Sequence, residues 1–293
     1  MLNLLRREPG LFGHERSRWT LHTLLSSCNE VGLIPKERLH SLPGLHQLLE
    51  RLDISYKRAR SHIYSPDPFY LDKQAAVQRL IVEASASGGK IVLVYMDQVT
   101  TYRQPTVAQA YEHKGHSQPL AQRSYRSDTL TRIVASLEHF SGQVIYLRAS
   151  RIGVSQLVQF YQKLRHTYPD AECIYVVQDN WPVHVHPDLL VALEPQTTQW
   201  LRATPPNWPL TPSAAAVRKW GQLQLPIQAV PLPTYASWLN PIEKLWRWLK
   251  QEILHLHKLA DNLLVLRAAI DRFLDRFAFG SDQLLRYVGL FDD

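Results

Sequence analysis

Cysteine is nearly absent from this chain of 293 residues, where Cys28 and Cys173 are the only two. They lie far apart and in no Cys-x-x-Cys or Cys/His zinc spacing, which excludes a disulfide framework and a zinc finger and fits reduced thiols. Long apolar runs are missing too. The longest clean one is the six residues 91–96, against the roughly 18 of a membrane span. Residues 2–5 are too short an apolar stretch before Arg6 and Arg7 to open a secretory signal, so a soluble, cytoplasmic protein is expected. No internal repeat is visible. Acidic residues fall short of basic ones, 26 against 33, leaving a net charge of +7 and a pI near 9.4. Such an excess favours a polyanionic partner, although many basic enzymes bind no nucleic acid. A hydrophobic fraction of 45% with 20% charged residues is globular composition. The length predicts an ordinary core with a smaller appended module.

Residues 1–68 read as short helical segments separated by breakers: 20–25, 36–42, and 45–52 after the Pro43-Gly44 break. A polar turn at 53–55 then leads into a basic segment starting at Ser55. This is the spacing of a helix-turn-helix, with Lys57, Arg58 and Arg60 meeting phosphates or bases. A solvated basic face on a small bundle fits the same residues. Ser65-Pro-Asp-Pro68 cannot continue a helix, and it marks a domain boundary.

Beyond it, residues 69–293 alternate in type. A helix is expected over 72–86, a buried strand over 91–96 ending in Asp97, a hairpin of 129–137 and 143–147, and a helix over 153–166. A strand over 173–177 precedes Gln178-Asp179-Asn180, and 227–232 form a weaker strand interrupted by Pro231. This alternation predicts a mixed α/β layer. The stretch 181–225, rich in proline and tryptophan, reads as an irregular insertion, either a substrate-contacting flap or cover for a core edge.

Asp97 and Asp179 each follow a buried strand, and in open α/β sheets ligands collect at the carboxyl ends of strands. Two acids in one crevice repel and raise one another's pKa unless a divalent cation lies between them. Strand-terminal aspartates are also common as turn and cap residues. Asn240 and Pro241 predict an N-cap and first helical residue, followed by an apolar stripe of Ile242, Leu245, Trp246, Leu249, Ile253 and Leu256. Glu243, Arg247 and Lys250 fall together beside that stripe. Glu243 could reach into a crevice, or fold back as a capping box with Arg247 as its i,i+4 partner.

The strings Val94-Tyr-Met-Asp97, Val177-Gln-Asp-Asn-Trp-Pro-Val-His184 and Leu232-Pro-Thr-Tyr-Ala-Ser-Trp-Leu-Asn-Pro-Ile-Glu243 resemble the catalytic motifs of mariner-like transposases, nearest to the bacterial insertion sequence 630 branch. The last string is the most specific. The resemblance covers roughly residues 43–258. It implies a ribonuclease-H-like catalytic core over 69–293, preceded by the all-α DNA-binding region, with Asp97, Asp179 and Glu243 as the metal-binding catalytic triad. Asn180 and His184 match the companion positions after the second aspartate. Two Mg²⁺ ions are the implied cofactors, with Mn²⁺ able to substitute. The implied partners are double-stranded DNA, as terminal inverted repeats and as target, and a second copy of the chain in a synaptic homodimer. The implied activity is cut-and-paste movement into a TA dinucleotide in a bacterial cytoplasm. Lys244, Arg247 and Lys250, with Lys57, Arg58 and Arg60, would neutralise phosphates. Tyr235, Trp238, Trp246 and Trp248 could stack on unpaired bases or serve as core.

Two features depart from the family pattern. The 63 residues between Asp179 and Glu243 are about twice the usual spacing, and the surplus coincides with the 181–225 insertion. The amino-terminal region is also short for two helix-turn-helix units. A repurposed or truncated DNA-binding protein is the alternative reading, and a hydrolytic nuclease without strand transfer is another. The close histidine pairs His113/His116, His184/His186 and His255/His257 lack cysteine partners and a His-Glu-x-x-His helix, so no metal site is expected from them.

Overall fold

The structure, a computed structural model, describes residues 1–35, 41–57, 64–197, 200 and 204–291. It forms two compact units, Met1–His62 and Ile63–Asp293.

In the first unit, helices α1 (Leu2–Leu5), α2 (Leu21–Glu30) and α3 (Leu42–Arg51) bury Leu4, Leu24, Cys28 and Leu45 against one another. Thr20 starts α2 by exchanging hydrogen bonds with Thr23 in a reciprocal cap. Ser41 caps α3 through the Gly44 N–H. The Pro43-Gly44 pair therefore lies inside the first turn rather than before it, because proline needs no donor there. After α3, Asp53 takes a left-handed φ of 54° and the Ile54 N–H closes back on Leu49 O at 2.9 Å. Residues 54–57 are then non-helical, which corrects the expectation of a helix opening at Ser55. Arg58, Arg60 and most of the helix expected at 36–42 lie outside the described residues.

The second unit opens with the Ser65–Pro68 turn and α4 (Tyr70–Ala86). Strands β1 (Ile91–Tyr102), β2 (Leu130–Glu138) and β3 (Val144–Ala149) form an antiparallel meander. After α5 (Val154–Thr167), strand β4 (Cys173–Gln178) joins β1 in parallel. Helices α6 (Pro187–Leu190) and α7 (Ala214–Trp220) precede β5 (Ile227–Pro231), which joins β4 in parallel. The sheet order is β3-β2-β1-β4-β5, the ribonuclease-H-like arrangement the sequence implied. Pro231 is accommodated as the last residue of the edge strand. The chain ends with α8 (Ile242–Leu249), α9 (Leu263–Asp275) and α10 (Asp282–Val288).

Strand alternation divides the core between the two faces of the sheet. Leu93, Tyr95 and Val177 pack with Leu245, Trp246, Ile270 and Phe273 on the face covered by α4, α8, α9 and α10. Val94, Met96 and Val176 pack with Leu157, Phe160 and Tyr161 on the face covered by α5. Leu189, Ala192, Leu193 and Leu225 belong to that second cluster, so parts of the insertion cover a core edge. Asp188 ties its two helices by accepting from Ser213 N at 2.6 Å and Oγ at 3.0 Å.

The apolar stripe of α8 departs from the sequence reading at its end. A π turn at Lys250–Leu254 adds a residue to the repeat, so Leu254 is buried in the core while Ile253 packs against it only partly buried, and Leu256 has left the helix with φ 49°. Trp248, a candidate for base stacking, packs instead on Phe273, Phe277 and Tyr287.

Candidate active site

Tyr95 and Val177 are register partners on parallel strands, and Asp97 and Asp179 each follow two residues later. With a side-chain period of two, both acids inherit the face of that pair, which is the face of α8. Asp97 does not end its strand as expected. Strand β1 continues to Tyr102 because it keeps β2 as a partner after β4 stops. Strand β4 does end, at Gln178, leaving Asp179 at its tip. Glu243 comes from the first turn of α8. All three acids line one cavity of about 800 Å³, together with Asn180, Trp181, Trp200 and Asn240.

Asp97 is half-buried and accepts a hydrogen bond from the Trp246 indole N–H at 2.9 Å. Burial first, and then the nearby charge of Glu243, push its carboxyl up to about 7. Glu243 is also raised, mainly by burial and partly by Asp179, with Lys250 and Arg247 acting the other way. Asp179 stands apart, its side chain 59% exposed. The burial it does have pushes its carboxyl up, but hydrogen bonds from His184 and from the Trp181 N–H (3.1 Å) outweigh this and hold it below the usual range. His184 is buried, with Nε2 3.3 Å from Asp179 Oδ1, and its Nδ1 has no partner among the described residues.

Asparagines brace this wall. Asn180 donates from Nδ2 to Leu232 O at 2.7 Å, and Leu232 N donates to Gln178 O at 2.8 Å. Asn240 does not cap α8, which has no side-chain cap at its start, and Glu243 forms no capping box there. Asn240 instead donates from Nδ2 to Met96 O at 3.0 Å, the carbonyl before Asp97.

Asp67 and Lys73 also line this cavity. Asp67, from the Ser65-Pro-Asp-Pro68 turn, forms an ion pair with Lys73 at 2.7 Å, with side chains only 4% and 7% exposed. It also accepts from Thr234 N at 2.9 Å, while Ser65 Oγ donates to Thr234 O at 2.6 Å. Burial works against its charge, yet these bonds lower the Asp67 carboxyl to about 2. The clamp fixes the loop carrying Tyr235, which has a left-handed φ of 56° and is 73% exposed. Only the two prolines around Asp67 hinted at this in the sequence.

The cations divide. Arg247 and Lys250 line a groove of about 380 Å³ with Glu243, Ser237 and Trp238. Lys244 does not join them, because its ammonium donates to Val288 O at 2.6 Å, at the end of α10. Lys57 is exposed in the first unit. Trp246 is buried, whereas Tyr235 and Trp238 are exposed.

Residues 92–264, which include all three acids, match the family described as DDE superfamily endonuclease. The chain belongs to this family of DDE endonucleases. It is similar to the insertion element IS630 uncharacterized 39 kDa protein of Shigella sonnei, 22% identical over 264 residues that make up 90% of this chain and 66% of that protein. The chain thus spans just under two thirds of its relative's length. Among solved structures, it resembles the Mos1 transposase paired-end complex with left transposon end, with a TM-score of 0.54 at 14% identity, covering 94% of this chain and 76% of that one. The Mos1 mariner paired end complex with Mn gives a TM-score of 0.54 at 15% identity, covering 94% and 77%. At these identities the likeness establishes a shared fold.

In this DDE endonuclease, hard carboxylate oxygens are the donor set that Mg²⁺ or Mn²⁺ prefers. Among the described residues no three acidic, histidine or cysteine side chains already close on one point as a finished metal shell. The carboxyls of Asp97 and Glu243 are raised chiefly by burial, and next by a neighbouring carboxylate, Glu243 acting on Asp97 and Asp179 on both, a repulsion that a divalent cation would relieve. By donor chemistry and charge, the site fits such an ion. Among the described residues, no helix is long and apolar enough to cross a membrane.

Proposed function

We propose that this chain is the transposase of an insertion sequence, cleaving DNA at the element's ends and joining the freed 3′ hydroxyl to target DNA. The observation that carries this reading is the lining of one cavity by Asp97, Asp179 and Glu243, drawn from β1, the tip of β4 and α8. Two Mg²⁺ ions held by these acids, with Mn²⁺ able to substitute, would neutralise the phosphate and make a nucleophile of water near neutral pH.

The chain's own residues do the rest. Trp246 holds Asp97 Oδ2 in one orientation and favours its anionic form. His184, fixed by burial, keeps Asp179 charged. Arg247 and Lys250 offer cations beside Glu243 for the DNA backbone, and Lys57 adds one from the first unit, where Arg58 and Arg60 follow in sequence. Phosphate contacts of this kind make binding fall steeply with salt. No side chain is required as a covalent nucleophile. Cut-and-paste movement into TA and a homodimer pairing two ends complete the reading, supported by the family motifs.

The test is Mg²⁺-dependent nicking of a duplex carrying the DNA that flanks the coding sequence. We expect the wild type to nick it, and Asp97→Asn to bind it without cutting. Full cleavage by Asp97→Asn would overturn the site. Binding without any cleavage by the wild type would instead support a DNA-binding protein that has kept the fold.

A further inference from the structure

The two polar atoms of the Asn240 side chain are in different situations. Nδ2 donates to Met96 O, and this fixes the identity of the other atom, since a flipped amide would set oxygen against oxygen. Oδ1 is therefore an acceptor. Among the described residues it is buried without a partner, in a residue only 4% exposed that lines the cavity with the three acids. A buried acceptor without a donor is rare and calls for an explanation.

Helix capping does not supply one, as α8 takes no side-chain cap. The position of Asn240 suggests another purpose. Its carbonyl accepts from Glu243 N at 3.1 Å while its amide holds the carbonyl before Asp97, so one residue links the backbones that carry two of the acids. A neutral acceptor set among carboxylates suits an O–H donor and repels a phosphate oxygen.

We propose that Asn240 Oδ1 accepts a hydrogen bond from the O–H of the attacking nucleophile, a water in end cleavage and a 3′ hydroxyl in strand transfer. The inference rests on the transposase reading. Asn240 takes no proton. As the nucleophile's oxygen bonds to phosphorus, the bond from phosphorus to the departing deoxyribose oxygen breaks. The hydrogen bond to Oδ1 orients the nucleophile before attack and is released as the nucleophile's proton passes to solvent water, and the departing oxygen is protonated from water.

The experiment uses the full chain with Asn240→Ala, Asn240→Leu and Asn240→Asp. One arm measures Mg²⁺-dependent nicking of the flanking-DNA duplex, and the other measures joining of the same duplex, pre-cleaved with a 3′ hydroxyl, to a plasmid. Thermal unfolding and metal-free DNA affinity are measured alongside. We expect Ala and Leu to lose about 10- to 100-fold in rate, with DNA affinity and half-saturating Mg²⁺ unchanged. Asn240→Asp should unfold at a lower temperature than Asn240→Ala, because its buried carboxylate faces the Met96 carbonyl, yet cut faster because it keeps the acceptor. A merely structural Asn240 would not separate activity from stability in this way.

Loss confined to one arm assigns the contact to that arm's nucleophile. An aspartate variant no faster than the alanine variant would overturn the inference, as would a Mg²⁺ requirement rising in step with the rate loss, which would make Oδ1 a metal contact. If the wild type cleaves and Asn240→Ala keeps its rate, this inference alone fails. If the wild type is inert in both arms, the transposase reading fails with it.

Discussion

Asp97 and Asp179 are the same residue type, each two positions past a paired residue on neighbouring parallel strands, yet their surroundings drive them in opposite directions. Around Asp97 the sheet continues and α8 lies across it, so the carboxyl is raised to about 7 despite the Trp246 hydrogen bond. At Asp179 the strand has ended, the side chain is largely in solvent, and His184 holds it charged. The difference teaches that a carboxylate's readiness is set by what covers the strand beyond it. Asp179 holds its charge with its own partners, while burial lets Asp97 keep its proton up to about pH 7.

The largest expected effect strikes Asp97. Asp97→Asn should slow cleavage by roughly 10³-fold or more. It should also flatten the pH dependence of stability. The metal-free native state keeps the Asp97 proton up to about pH 7, whereas an unfolded aspartate releases it near about pH 4. Wild-type stability attributable to this group therefore falls as pH rises through that window. Thermal melts at pH 5 and pH 8 should differ less in the variant, and an unchanged difference would break the contrast between the two acids.

Next in size is the Asp67–Lys73 clamp in the cavity lining. Lys73→Met leaves the Asp67 carboxylate buried and unpaired, which should cost about 3–5 kcal/mol in denaturant unfolding. Asp67 behaves opposite to Asp97. Its native pKa of about 2 lies below that of an unfolded aspartate, so its contribution is whole above about pH 4 and lost as pH falls towards 2. Asp67→Asn should remove that acid limb.

Trp246→Phe should then cost about tenfold in cleavage and move the acidic limb of the rate profile upward, since the bond it removes favours ionised Asp97. The same limb in Trp246→Phe as in wild type would show that the indole only packs. Smallest are Arg247→Ala and Lys250→Ala, each expected to lower the salt dependence of DNA binding by about one unit of slope without changing stability.

Much of this architecture was legible from pattern. The continuous apolar run before Asp97 and the shorter one before Asp179 announced the two central strands, because strands buried on both faces need no alternation. The spacing of Ile242, Leu245, Trp246 and Leu249 announced α8. The failures were local. Asn240 and Pro241 carry a strong capping signal, which a long-range bond to Met96 overrode. The stripe held through Ile253, which packs against the core, but it over-ran into Leu256 and missed the buried Leu254 because a π turn does not show in a 3.6-residue repeat. Lys244 looks like its basic neighbours until α10 supplies a carbonyl for it.

By itself, the sequence determined which acids follow the two central strands and open α8, and so which are the candidates, since strand patterning and motif spacing are properties of the chain near each residue. Only tertiary structure decided that Asp97 is raised while Asp179 is lowered, that Trp246 bonds to Asp97 and Asn240 to the carbonyl before it, and that Asp67 and Lys73 pair in the lining of the same cavity. Each of these depends on partners brought together from distant parts of the chain, and both burial and Coulomb energy depend on distance in space rather than along the sequence.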